Sequence, residues 1–149
     1  MKSLVLHEHE IKQLSETGEV TVVRPVKPQP PEWAKFPLLD TENNVVFFPA
    51  SPDVLDYSDQ RSWPEKYMSC PFGQPGEIRW VRETWWMDED DQPIVFYAAT
   101  DKRSDLPLKS SSTMPQWASR FNVECGSVEV VKQLCADIWD WKIEYKKVG

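Results

Sequence analysis

Histidine occurs only twice in this chain, at His7 and His9, and cysteine three times, at Cys70, Cys125 and Cys135. No Cys-x-x-Cys pair is present, so a structural zinc site is not expected, and neither a metal nor a cofactor is anticipated. The uneven cysteine count argues against a disulfide framework and for a reducing compartment, the cytoplasm. Long hydrophobic runs are missing too. The opening MKSLVLHEHE holds too short an apolar stretch for export, and no segment reads as a membrane span. Positive charge is in short supply: 17 Lys and Arg face 24 Asp and Glu, a formal net charge of −7. That balance opposes non-specific adhesion to nucleic acid, which needs a surplus of cations, yet it leaves room for a local basic cleft. Glycine is scarce, with five residues against 13 prolines, so connections should be stiff and extended.

What the chain has is tryptophan, eight of them in 149 residues, within a hydrophobic fraction of 40%. Disorder is therefore not expected, and the length suits a single domain, residues 1–149, able to bury its own core. Ser3–Leu6 reads as a strand and His7–Glu16 as a polar helix touching the core through Ile11 and Leu14, ended by Gly18. Glu19–Arg24 is a β-branched strand. A proline-rich and loop insertion occupies about 25–75, interrupted by a short strand at Asn44–Phe48 and carrying Tyr57, Trp63, Tyr67 and Phe72. Glu77–Trp86 is the clearest strand and should form a hairpin with Ile94–Ala98. Thr113 is expected to cap a helical turn starting near Pro115. Arg120–Val131 is a strand, Lys132–Ala136 a helical turn, and Ile138–Tyr145 a last strand whose Trp139, Trp141, Ile143 and Tyr145 should face the core. Six short strands with a few small helices suggest a closed barrel, which removes exposed sheet edges.

Four segments in this order carry a resemblance: RPVKPQP (Arg24–Pro30), CPFGQPGEIRWVRETW (Cys70–Trp85), MPQWASRF (Met114–Phe121) and DIWDWKIEY (Asp137–Tyr145). Together they resemble the short ASCH-like proteins of bacteriophages and prophages, a family of the PUA-like superfamily. WVRETW and MPQWASR are the specific elements. The resemblance implies an α+β fold, a small mixed PUA-like β-barrel with a few short helices, and a role in binding RNA or modified bases. Relatives that deacylate N4-acetylcytidine use a Lys and a Thr on an early strand and a Glu on a later one. Glu83 matches that Glu and Thr21 a family Thr, but the Lys position falls on Glu19 or Val20, and one of two paired arginines on Val23. The resemblance thus implies binding without turnover; a residual amidohydrolase would use Glu83 and Thr21. The helical insertion that relatives carry before the final strand is also absent, which implies a more open cleft.

A base-binding site needs an aromatic platform, cations for phosphate and an acceptor for a base edge. Trp80, Trp85 and Trp117 are candidate platforms, with Trp80 and Trp117 read first as core. Arg24, Lys27, Arg82 and Arg120 are the candidate phosphate contacts, although Arg82 and Arg120 also suit pairing with Glu83 or packing over an indole. Glu83 would accept from an exocyclic amine. Asp88, Glu89, Asp90 and Asp91 read first as a solvated hairpin tip and second as a docking patch for a basic partner. Two readings follow: a module for RNA, single-stranded DNA or a modified nucleotide, or an acidic phage protein that binds and inhibits a host defence or nucleic-acid-processing protein. Both need Trp80–Trp85 and Met114–Arg120 to be neighbours, with Glu83 and the arginines opening onto one hollow.

Overall fold

The computed structural model describes residues 1–30, 34, 36–39, 44–48, 68–88, 94–101, 107–133 and 138–149. They form a mixed α+β protein, mostly strands with one α-helix. The strands are β1 (Ser3–Val5), β2 (Glu19–Pro25), β3 (Phe36–Leu39), β4 (Asn44–Phe48), β5 (Met68–Ser69), β6 (Ile78–Arg82), β7 (Trp85–Asp88), β8 (Ile94–Tyr97), β9 (Asn122–Lys132) and β10 (Trp139–Val148). The chain divides into two compact units. One comprises Met1–Val22, Pro75–Gly126 and Glu144–Gly149; the other comprises Val23–Gln74 and Ser127–Ile143.

The principal sheet has the order β1-β6-β9-β10-β2, with β2, β9 and β10 contributing residues to both units. β1 runs parallel to β6, pairing Leu4 with Val81, whereas β6 and β9 are antiparallel, pairing Arg79 with Val123. β1 and β2 are its two ends, and no pairing among the described residues joins them. The closed barrel expected from the strand count is therefore not formed by these residues: a sheet closes only when its first and last strands share a ladder.

In the first unit, α1 (Glu8–Thr17) lies between β1 and β2. Its polarity leaves little to bury, and Ile11 and Leu14, the expected contacts, are fully buried. At its start the His7 N–H donates to Glu10 Oε1 at 2.7 Å, satisfying a donor outside the helical ladder. At its end Gly18 adopts a left-handed φ of 77°, and its N–H donates to the Leu14 carbonyl. A Cβ there would meet nothing within 4 Å. Gly18→Ala should therefore cost only the backbone strain, about 1–2 kcal/mol, seen as a lower denaturation midpoint without loss of helix.

The expected strand over Glu77–Trp86 is two strands. β6 ends at Arg82, Glu83 and Thr84 leave the ladder, and β7 pairs with β8 as a hairpin, Trp85 opposite Tyr97 and Asp88 opposite Ile94. Trp80, Trp85, Met114 and Ala118 pack as one buried cluster flanked by Met87, Val95 and Tyr97. Two short 3-10 turns, Ser111–Thr113 and Gln116–Ala118, feed it. Ser110 caps the first turn, its side chain accepting from the Ser112 N–H, while Thr113, expected to cap the turn near Pro115, instead donates its hydroxyl back to the Ser110 carbonyl. Pro115 precedes the second turn, where no side chain caps.

In the second unit, β3, β4 and β5 form an antiparallel sheet, with Leu39 opposite Val45 and Val45 opposite Met68. The proline-rich segment thus carries a strand, β3, that its composition hid. The Lys27–Pro28 bond is cis. Gln29 then substitutes for a strand neighbour: its Nε2 donates to the carbonyls of Val26 and Trp139, and its Oε1 accepts from the Trp139 N–H at 2.9 Å. The Phe47 ring meets the Trp139 indole edge-on, with centroids 5.2 Å apart. Trp139, Trp141, Ile143 and Tyr145 of β10 are all buried, as the alternation required. Asp140, on the opposite face, is buried as well and accepts from Gln133 Nε2. β9 continues through Lys132, where a helical turn was expected; residues 134–136 of that turn lie outside the described residues. So do 49–67, with Tyr57, Trp63 and Tyr67.

Candidate functional site

The turn bearing MPQWASRF is held at four points. Met114 and Ala118 enter the Trp80–Trp85 cluster. The Tyr97 hydroxyl donates to the Ala118 carbonyl at 2.7 Å. Ser119 Oγ donates to the Val81 carbonyl at 2.7 Å, fastening the turn to β6. Arg120 closes on Glu83 with both ends of its fork: Nε to Oε2 at 3.0 Å and a terminal nitrogen to Oε1 at 2.9 Å. Its other terminal nitrogen donates to Thr100 Oγ1 at 2.8 Å, and its guanidinium lies 4.1 Å from the Tyr97 ring centroid.

Glu83 is 2% exposed. Burial pushes its carboxyl above the usual 4.5, and the Arg120 hydrogen bond and charge, which pull the other way, offset only part of that rise. The Tyr97 hydroxyl is likewise held above its ordinary 10.0 by burial, against the pull of Arg120. Glu83 lines a cavity of about 20 Å³ with Leu6, Ile11, Thr84 and Ala98 among its neighbours and no arginine in its wall. That is room for about one water. Thr21 lines a different feature, an open groove of about 520 Å³, with Thr17, Glu19, Glu144 and Lys146. Lys146 Nζ stands 3.9 Å from Glu19 Oε1 there. The two linings share no residue, so Glu83 and Thr21 do not make a joint acid–base site.

The candidate platforms separate sharply. Trp80 and Trp85 are buried, and the Trp85 N–H donates to Thr113 Oγ1 at 3.3 Å. Trp117, read first as core, is 66% exposed. The turn geometry is the reason: in Gln116–Ala118 it is Ala118 that points into the cluster, which carries its neighbour outward. Arg82 stacks on the Trp80 ring at 4.9 Å. Arg24 and Lys27 belong to the other unit, where Arg24 donates to the Val23 carbonyl at 3.0 Å and Lys27 is exposed. Thus Trp80–Trp85 and Met114–Arg120 do come together, but Glu83 and Arg120 face each other rather than a shared hollow. Asp88 ends β7, and Glu89, Asp90 and Asp91 lie outside the described residues.

Sequence reading missed the buried Asp140, and it missed the partners of Arg120 at Thr100 and Tyr97 because those lie 20 or more residues away along the chain. No three His, Cys, Asp or Glu side chains among the described residues are placed to hold a metal ion, and no described helix is long and apolar enough to cross a membrane. Fold and site define a mixed α+β sheet protein that presents one tryptophan on a pinned turn. No family model matches the chain, nor does any curated protein or solved structure.

Proposed function

We propose that the protein is a non-catalytic binding module of the ASCH-like, PUA-like kind, which holds RNA, single-stranded DNA or a modified nucleotide in a bacterial host cell. The observation that carries this reading is Trp117, 66% exposed on a turn with four anchors. Exposing an indole forgoes its burial, and fixing its backbone beforehand lowers the entropy lost when a ring stacks on it. An engaged Glu83 supports binding over turnover, since its lone pairs already serve Arg120. With a net charge of −7, affinity rests on stacking more than on long-range attraction.

Trp117→Ala should weaken binding of short single-stranded RNA or DNA by about 5- to 150-fold, from a stacking contribution of roughly 1–3 kcal/mol per base, and leave folding stability nearly unchanged. Fluorescence anisotropy at low salt, paired with urea denaturation, measures both. Failure of the wild type to bind, or equal binding by the variant, would count against the reading.

The acidic balance favours a second reading, an acidic phage protein that binds and inhibits a host protein. Exposed Ile94 and Leu108 in the same unit as Trp117 fit such a contact. In that case reversing the charges of Asp88–Asp91 weakens capture of the partner, while Trp117→Ala leaves oligonucleotide affinity as it was.

A further inference from the structure

We propose that Arg82 is the phosphate contact of this site, and that the ligand is a phosphorylated nucleobase whose ring lies on Trp117. The proposal rests on the binding reading above and adds the group that holds the anion.

Arg79, Arg82 and Arg120 are the described arginines of the first unit, and two of them are committed. Arg79 Nε donates to Glu77 Oε1 at 3.1 Å, and Arg120 grips Glu83 with both ends of its fork. Arg82 differs. Its Nε is buried with no hydrogen-bond partner, and among the described residues no carboxylate reaches its guanidinium. Its contact is the Trp80 ring, 4.9 Å from the guanidinium carbon to the centroid. The enclosed Nε is out of reach of a ligand, but the terminal nitrogens of Arg82 are not buried and no hydrogen bond among the described residues uses them, so they are the donors open to an anion. The contact with the indole uses none of the N–H groups, and the two terminal nitrogens match the paired oxygens of a phosphate.

Position ties Arg82 to Trp117. Alternation along β6 puts Arg82 on the same side as Trp80. Trp80 packs against Ala118, the neighbour of Trp117, and Ser119 is bonded to Val81, the neighbour of Arg82. Platform and cation are thus both carried by chain neighbours of that cluster. Arg120, closer to Trp117 in sequence, is spent on Glu83 and serves the turn instead.

The test uses the full chain with a labelled single-stranded oligonucleotide, competed by nucleoside monophosphates and by nucleosides lacking phosphate. Arg82→Gln should weaken oligonucleotide binding about tenfold or more and reduce the slope of log affinity against log salt by about 0.7, one single-strand phosphate contact. Arg82→Lys should restore the slope but not the full affinity. Monophosphates should outcompete nucleosides on the wild type and lose that advantage on Arg82→Gln. A wild type that prefers the oligonucleotide to monophosphates identifies a strand as the ligand; equal preference identifies a free nucleotide. Unchanged affinity and slope in Arg82→Gln, with binding still sensitive to Trp117→Ala, overturns the role of Arg82 alone. Absence of any wild-type binding removes the underlying reading and this assignment together.

Discussion

Arg120→Ala is expected to lower the free energy of unfolding by about 3 kcal/mol at neutral pH, the lower end of what breaking a buried ion pair costs. The Glu83 side chain is almost fully enclosed while 22% of the Arg120 side chain remains exposed. Removing the arginine therefore strands a carboxylate with no solvent, whereas Glu83→Gln leaves a guanidinium that can turn partly to water and keeps one acceptor in place. The first substitution should be the more costly. pH separates this mechanism from simple loss of packing. Burial already raises Glu83 above 4.5 in the folded chain, so its contribution to stability is fully present below 4.5 and is lost as pH rises through the folded value. Without Arg120 the main influence lowering that value is gone, and the folded carboxyl titrates higher still. The deficit of Arg120→Ala relative to wild type should then shrink as pH falls from neutrality toward 4.5. Urea denaturation across that range measures it; a deficit that stays constant with pH would sink the idea.

Trp80→Ala is the second large effect, a loss of about 3–5 kcal/mol, as for other large aromatics truncated in a core. The indole sits among Trp85, Met114 and Ala118, and its other face supports Arg82. Trp80→Phe keeps a ring in both places and should cost roughly 1–2 kcal/mol, mostly lost volume. Denaturant midpoints rank the two, and equal midpoints for Phe and Ala would show that the ring does not fill the cluster. Phe should also preserve the salt slope of oligonucleotide binding, because a guanidinium stacks on phenyl as well, though less strongly.

These effects mark what the amino-acid order reveals and what it hides. β10 was legible because a strand with one buried face writes its period into the residues, and Trp139, Trp141, Ile143 and Tyr145 obey it. α1 was legible from two apolar positions and a glycine stop. The break between β6 and β7 was not, since Glu83 leaves the ladder to meet Arg120, 37 residues on. Nothing local marks that departure. Trp117 misled for a related reason. Large aromatics are usually interior, and only the direction of a single 3-10 turn decides that Ala118 goes in and Trp117 goes out. Gln29 in place of a strand neighbour is equally silent, because two of its three bonds are to residue 139. Pairings that join distant stretches are the content of this fold, and short-range patterns carry none of them.

The ordering β1-β6-β9-β10-β2 bears on how the chain is made. Its first strand ends at Val5 and waits for a parallel neighbour that begins at Ile78. Two of the three interior strands arrive only after residue 121. At roughly 5–20 residues per second, the ribosome holds the early strands without their neighbours for several seconds. During that interval β2, rich in valine, lacks its sheet neighbour β10, and an unpaired strand edge is a template for pairing with another chain.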